Sequence, residues 1–282
     1  MNRPYAEVIG DPIAHSKSPL IHNFWLQKSG IDAEYQACRI RPAELTDYLI
    51  KCRNDPDWRG CNVTIPHKQS VALAVDYLWP GTLDIGAINT VIKRNGQLVG
   101  ANTDIAGIIA PLKSLLTALF GDNPPLAQTV AIIGAGGAAR AAAAAIRSRF
   151  PDWPIRFLAR RRQQAEAVAH EIGVTADVWP IESTALNAVT ILINASPLGM
   201  VGKAPLNLSL EAMIGSESSK IVFDMVYAPL ETPLLAAARK EGFATIDGLQ
   251  MLVGQAAEAF ELFFGQPAPR DYDDELRALL IK

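Results

Sequence analysis

Apolar and polar positions along this chain switch repeatedly between a period of two and a period near 3.6, the pattern of strands alternating with helices. In the first hundred residues, 5–10, 34–40 and 60–65 read as strands, and 19–30, 42–53 and 67–78 read as helices between them. Residues 88–93 and 97–101 flank Arg94-Asn95-Gly96, and Asn-Gly is a strong hairpin signal. Residues 104–119 form a long apolar helix pattern interrupted by Pro111, where a kink is expected. Gly-Asp-Asn-Pro-Pro at 121–125 then punctuates the chain as a linker. A second series of strands follows at 130–134, 155–159, 176–179, 191–195, 221–225 and 244–246. Residues 249–264 read as a long amphipathic helix and 273–281 as a shorter one. The alternation predicts an α/β protein of two lobes built on parallel sheets.

Composition narrows the partners. Of 282 residues, 49% are hydrophobic and 20% charged, as in an ordinary globular protein, and the net charge is −3. There is no basic stripe, which argues against nucleic acid or an anionic membrane surface as a partner. No apolar run is long enough for a membrane span, and the N-terminal MNRPYAEVIGDP lacks the apolar core of a signal peptide. Cys38, Cys52 and Cys61 are odd in number and unevenly spaced, so they read as reduced thiols of a cytoplasmic protein. His15, His22, His67 and His170 share no ligand spacing, and no structural metal is expected.

The most telling segment is TVAIIGAGGAAR at 129–140. A β-branched run ends in Gly134, Ala135, Gly136, Gly137 and Ala138, and an alanine-rich helix pattern follows. Small residues there let the backbone approach a pyrophosphate, and the helix N-terminus supplies amide donors. The bland alternative is a tight strand-to-helix turn that needs glycine only for sterics. Ligands in open α/β sheets sit at the carboxyl ends of the strands. The first lobe lacks such a loop, so the expected arrangement is substrate on the first lobe, a Rossmann-like dinucleotide lobe second, and a cleft between them. An acid at the end of the second nucleotide-lobe strand favours NAD, whereas an arginine nearby accommodates the 2′-phosphate of NADP. Here residues 155–159 carry no acid and run into Arg160, Arg161 and Arg162, which points to NADP. A solvated basic helix start is the alternative, disfavoured by the helix dipole.

Several polar residues break local rules. Pro66 suits a first helical turn, but Lys68 follows where the helix dipole repels a cation. It is either a proton-transfer lysine or an exposed side chain near a helix start. Asp104 is a functional carboxylate or a helix N-cap. Asn89 could bind a polyol or cap a turn. Ser16 and Ser18, ahead of Pro19, form a carboxylate pocket at a helix N-terminus or a plain Ser-Pro cap. Asn194 and Ser196 follow an apolar strand of the second lobe, as a cofactor-facing loop or an ordinary polar one.

Laid in order, SKSP at 16–19, NVTIPHK at 62–68, GAINT at 86–90, NTD at 102–104, GAGGAAR at 134–140, NASPLGM at 194–200, DMVYAPLETPLL at 224–235 and DGLQMLVGQA at 247–256 resemble the shikimate dehydrogenase family almost end to end. The resemblance implies NADP-linked, reversible interconversion of shikimate and 3-dehydroshikimate. It also implies a substrate-binding catalytic domain over 1–105, completed by C-terminal helices at 249–282, and a Rossmann NADP-binding domain over 106–248. It makes Lys68 the proton-transfer group and Asp104 its partner. Ser16 and Ser18 match the substrate-carboxylate pair, and Thr64, Asn89, Tyr227 and Gln255 match substrate contacts, with Asn62 beside them. Gly134 to Ala138 match the pyrophosphate loop, Arg160 the 2′-phosphate arginine, and Met225 and Gly248 positions near the nicotinamide. Departures from the family pattern include Arg161 where a small hydroxyl residue is usual, Ala228 for asparagine and Gln250 for glycine. The resemblance suits a small-molecule enzyme acting as a monomer or homodimer. A quinate/shikimate dehydrogenase differs from it by one substrate hydroxyl, and a two-lobed methylenetetrahydrofolate dehydrogenase fits the SKS and NTD segments poorly. A non-catalytic nucleotide- and ligand-binding sensor would not need Lys68 and Asp104.

Overall fold

The computed structural model describes residues 3–80, 82, 88–121, 128–174, 178–179, 183–214 and 219–282. The chain divides into two compact units, Met1–Thr103 with Gln255–Lys282, and Asp104–Gly254.

In the first unit the chain order is β1 (Tyr5–Gly10), α1 (Ser18–Ser29), β2 (Glu34–Arg39), α2 (Leu45–Asn54), β3 (Trp58–Val63), α3 (Lys68–Ala72), β4 (Tyr77–Leu78), β5 (Thr90–Arg94) and β6 (Gln97–Ala101). Its sheet has the order β2-β1-β3-β5-β6-β4. The sheet is mixed rather than parallel: β5 runs antiparallel to β3 and β6. The hairpin turn works because Asn95 and Gly96 both take positive φ, 52° and 78°, as a twist-matched two-residue turn requires. Helix α1 stops at Gly30, whose φ of 64° caps it in the left-handed region. Ile9, Trp58, Cys61, Val63, Val91 and Leu98 fill one core of this unit.

The helix expected over 67–78 is cut short. It spans Lys68–Ala72, and the chain then turns into β4, which pairs parallel with β6. Val71, Val75 and Leu78 are spaced like a helix face, yet all three pack on the sheet core. The free edge of β6 decides the outcome, because Asp76 accepts from Leu98 N at 2.7 Å and Trp79 N donates to Gly100 O at 2.7 Å. Pro66 lies ahead of that helix, not in its first turn.

The second unit contains α4 (Asp104–Phe120), β7 (Val130–Ile133), α5 (Gly137–Arg149), β8 (Ile155–Leu158), α6 (Arg162–Ile172), β9 (Val178–Trp179), β10 (Ile191–Asn194), β11 (Ile221–Asp224), α7 (Pro233–Lys240) and β12 (Ala244–Ile246). Its six strands are all parallel, in the order β12-β11-β10-β7-β8-β9. Chain direction across the sheet reverses between β7 and β10, the switch point where open α/β sheets hold ligands. Helix α4 continues through Pro111 as one helix. Helix α5 packs on α4 through a run of buried alanines, Ala141 to Ala145. Helix α8 (Gly248–Phe264) begins in this unit and ends in the first, followed by α9 (Asp273–Leu280). A Cβ on Gly254 would lie 3.1 Å from the Gly107 Cα, so α8 and α4 cross at two glycines.

Of the expected linker at 121–125 only Gly121 lies within the described residues, as do only 178–179 of the strand expected at 176–179. Gly86 and Ala87 of the GAINT segment also lie outside them. Among the described residues, no helix is long and apolar enough to cross a membrane, and no group of three or more His, Cys, Asp or Glu could hold a metal ion.

Candidate active site

In the first unit the chemistry-bearing residues gather around the ends of β3, β5 and β6. Asn62 is the penultimate residue of β3, buried, and accepts from the Tyr35 hydroxyl at 2.6 Å. Its own amide donates to Thr90 Oγ1 at 3.0 Å. Asn89 stands just before β5 and accepts from Thr103 N at 2.7 Å. The Asn89 amide donates to Thr103 Oγ1 at 3.0 Å and to Gln255 Oε1 of α8 at 3.4 Å. Segments 166 residues apart in sequence therefore converge on one buried amide. Such a network fixes both amide orientations, because each oxygen already faces a donor.

Lys68 is half-buried at the first position of α3, and its carbonyl accepts from Ile88 N at 3.0 Å. The dipeptide Ile88-Asn89 thus anchors both the Lys68 backbone and, through Asn89, Thr103. Asp104 is the first residue of α4 and buried, so the cap position falls to Thr103 instead. Behind Lys68, the buried His67 ring bonds Ile40 O at 2.7 Å. Thr64 is half-buried, with its amide donating to Ile9 O at 3.0 Å. Ser16 and the buried Ser18 sit at the start of α1. Lys17 holds the cap position there without a side-chain cap, and Ser16 Oγ accepts from Ser18 N at 3.3 Å.

In the second unit the predicted cofactor residues line the carboxyl ends of the strands. Gly134 follows β7 with φ of 113°, a region closed to other residues. A Cβ there would also meet Ala195 O, after β10, at 3.2 Å. Gly136 is different: its φ is −94° and a Cβ would meet nothing within 4 Å. Backbone strain and packing leave Gly136 unexplained, whereas close approach of a ligand explains it. Arg160 and Arg161 after β8 are exposed, while Arg162 pairs with Glu166 at 2.7 Å.

Asp224 organises the other strand ends and was missed by sequence reasoning. It is fully buried at the end of β11 and accepts from Asn194 Nδ2 at 2.9 Å, Val226 N at 3.0 Å and Thr232 Oγ1 at 2.6 Å. Burial pushes its carboxyl up, and the three donors pull it back toward the ionised form. Asn194 in turn accepts from Ser196 Oγ at 2.7 Å, fixing the 194–200 loop. An acid closing an apolar strand was the available signal. Gly248 opens α8 where a Cβ would overlap the Met225 carbonyl, so only glycine lets these two segments touch. Tyr227 is half-buried nearby in sequence, and burial raises its phenol pKa.

Residues 8–91 match the shikimate dehydrogenase substrate binding domain, and residues 248–274 match the shikimate 5′-dehydrogenase C-terminal domain. Over 99% of this chain and 97% of the relative, it is 47% identical to the shikimate dehydrogenase (NADP(+)) of Sphingopyxis alaskensis. The chain belongs to the shikimate dehydrogenase family. Among solved structures, the shikimate 5-dehydrogenase of Thermus thermophilus in complex with NADP(H) and shikimate superposes with a TM-score of 0.85 at 31% identity, covering 98% of this chain and 99% of that one. The 5-ketofructose reductase of a Gluconobacter strain is also similar, with a TM-score of 0.83 and 28% identity over 100% of this chain and 98% of that one. The family scaffold is therefore shared with a reductase named for a neutral sugar, and the fold alone does not select the substrate.

Proposed function

We propose that this chain catalyses the reversible NADP-linked reduction of 3-dehydroshikimate to shikimate. The likeness to an NADP-dependent shikimate dehydrogenase along the full length of both chains carries this reading. The unit bearing β1–β6 takes the substrate, and the unit bearing β7–β12 takes the cofactor. NADP fits the residues present: Gly136 leaves open backbone at the start of α5, and Arg160 and Arg161 offer two exposed guanidiniums after β8. With Arg162 engaged by Glu166, those two are left for the 2′-phosphate. When bound, the nicotinamide supplies or accepts the hydride.

The protein's own residues handle the proton and the substrate's position. As the ketone is reduced its oxygen gains negative charge. The Lys68 ammonium stabilises that charge and delivers the proton, and the Asp104 carboxylate orients the ammonium and holds a neighbouring hydroxyl. Asn89, Thr64, Gln255, Asn62 and Tyr227 bind the ring hydroxyls. Ser16 and Ser18 accommodate the carboxylate at the amide-rich start of α1. The free thiols Cys38, Cys52 and Cys61 suit a reducing, cytoplasmic setting.

The test is a spectrophotometric assay of the purified protein with shikimate and with quinate, each against NADP and NAD. Shikimate with NADP should give the largest kcat/KM. Flat traces with all four pairs would refute the activity, and faster turnover of quinate would reassign the substrate. Arg160→Ala should weaken NADP binding roughly 10–100-fold, the worth of a charge-assisted bond, and leave NAD binding alone. Equal loss for both would move the 2′-phosphate elsewhere.

A further inference from the structure

We infer that Gln164 is a positioning residue of the cofactor loop: from α6 it aims the Gly136 amide at the pyrophosphate. The inference rests on the cofactor reading above. Gln164 is half-buried, two residues into α6, and its side-chain amide donates to the Ala135 carbonyl at 3.0 Å. That contact spans 29 residues and joins α6 to the glycine loop.

Its consequence follows from peptide geometry. The 135–136 bond is trans, so the Ala135 carbonyl and the Gly136 N–H lie in one plane and point in opposite directions. A carbonyl held toward α6 sends the N–H away from α6. It emerges on the side where a Cβ at Gly136 would meet nothing within 4 Å. Gly136 is also the N-cap residue of α5, so its amide stands with the unsatisfied donors of that helix start. Flanking glycines leave the loop peptide free to rotate, and Gly134, at φ of 113°, fixes only one side of it. Gln164 supplies the constraint on the other side. The side-chain nitrogen is engaged in this bond and, being neutral, adds no charge for the 2′-phosphate, which stays with Arg160 and Arg161.

The experiment compares wild type, Gln164→Leu, Gly136→Ala and Arg160→Ala by titrating NADP and NAD against intrinsic tryptophan fluorescence, with Tm recorded for each. Gln164→Leu keeps the volume and removes the donor. It should raise the Kd for NADP and for NAD by the same factor, about three- to tenfold for one neutral hydrogen bond. Tm, the KM for shikimate and kcat at saturating NADP should stay at wild-type values. The equal factor is the signature, since both dinucleotides carry the pyrophosphate and only one carries the 2′-phosphate. An unchanged Kd in Gln164→Leu, with Gly136→Ala weakened, would overturn the role of Gln164 alone. A loss confined to NADP would make Gln164 a 2′-phosphate contact, and a lower Tm with a raised shikimate KM would make it a fold residue; either overturns the inference. If Gly136→Ala also binds both dinucleotides like wild type, the loop is not the pyrophosphate site and the cofactor reading falls too.

Discussion

Lys68→Ala should lower kcat roughly 10²–10⁴-fold, the range lost when a positioned acid–base group is removed, while the KM for shikimate and the Kd for NADP change little. The residue cannot be explained by the helix it opens. A cation at the first position of α3 opposes the helix dipole, and a helix of five residues has little to gain from it. The site also holds the lysine from behind, through Ile88 N on its carbonyl and through the buried His67 bonded to Ile40 O. Such support belongs to a group whose position matters. Lys68→Arg should not rescue turnover. A guanidinium keeps the charge but does not release its proton near neutral pH, so it can stabilise the developing oxyanion without protonating it. Stopped-flow or steady-state reduction measured with both variants separates the two tasks. Near wild-type kcat in Lys68→Ala would remove Lys68 from the mechanism. Full activity in Lys68→Arg would reduce it to a point charge.

The features legible in the sequence are those whose cause is local. The Asn95-Gly96 turn, the Gly30 cap and the strand–glycine–helix passage at 130–137 each depend on a backbone conformation that few residues adopt, so composition reveals them. The central strands β7, β10 and β11 are readable because they are buried on both faces along their whole length. Elements set by a remote partner were not readable. Strand β4 is two residues long and its spacing with α3 mimics one helix; only the open edge of β6 makes it a strand. The same holds for the site. Lys68 and the glycine loop stand out by breaking rules where they lie. Asp224 carries a local sign, an acid closing an apolar strand, but Tyr35, Thr103 and Gln164 act on atoms supplied by distant segments, and a single sequence carries no sign of such pairings.

His22→Phe should remove much of the protein's sensitivity to mild acid. His22 lies on α1, fully buried, and neither ring nitrogen has a hydrogen-bond partner. Its ring stacks on Tyr35 at 4.0 Å and 4°, with Trp25 at 5.8 Å and Phe260 and Phe263 each at 6.0 Å. Burial among these rings lowers its pKa to about 3, because a charged imidazole there would have no compensating acceptor. The Tyr35 phenol stacked on it is held well above its ordinary value by burial and is therefore neutral. In the unfolded chain the imidazole titrates near the ordinary value of about 6.5. The folded state thus binds fewer protons than the unfolded state between those two values. Stability is full above about pH 6.5 and falls as pH drops toward about 3. From about pH 7 to about pH 5 the loss from this one group is on the order of 2 kcal/mol. Denaturant unfolding at both pH values should show that much less decline in His22→Phe than in wild type. Comparing each protein with itself cancels any overpacking by the larger ring, and His22→Leu, which is smaller, should give the same difference. An identical decline in all three proteins would mean that the acid-labile group lies elsewhere. The Tyr35 ring that packs on His22 also carries the hydroxyl that orients Asn62, at 2.6 Å. Because the folded His22 stays neutral down to about pH 3, the KM for shikimate should show no His22-dependent change between about pH 7 and about pH 5.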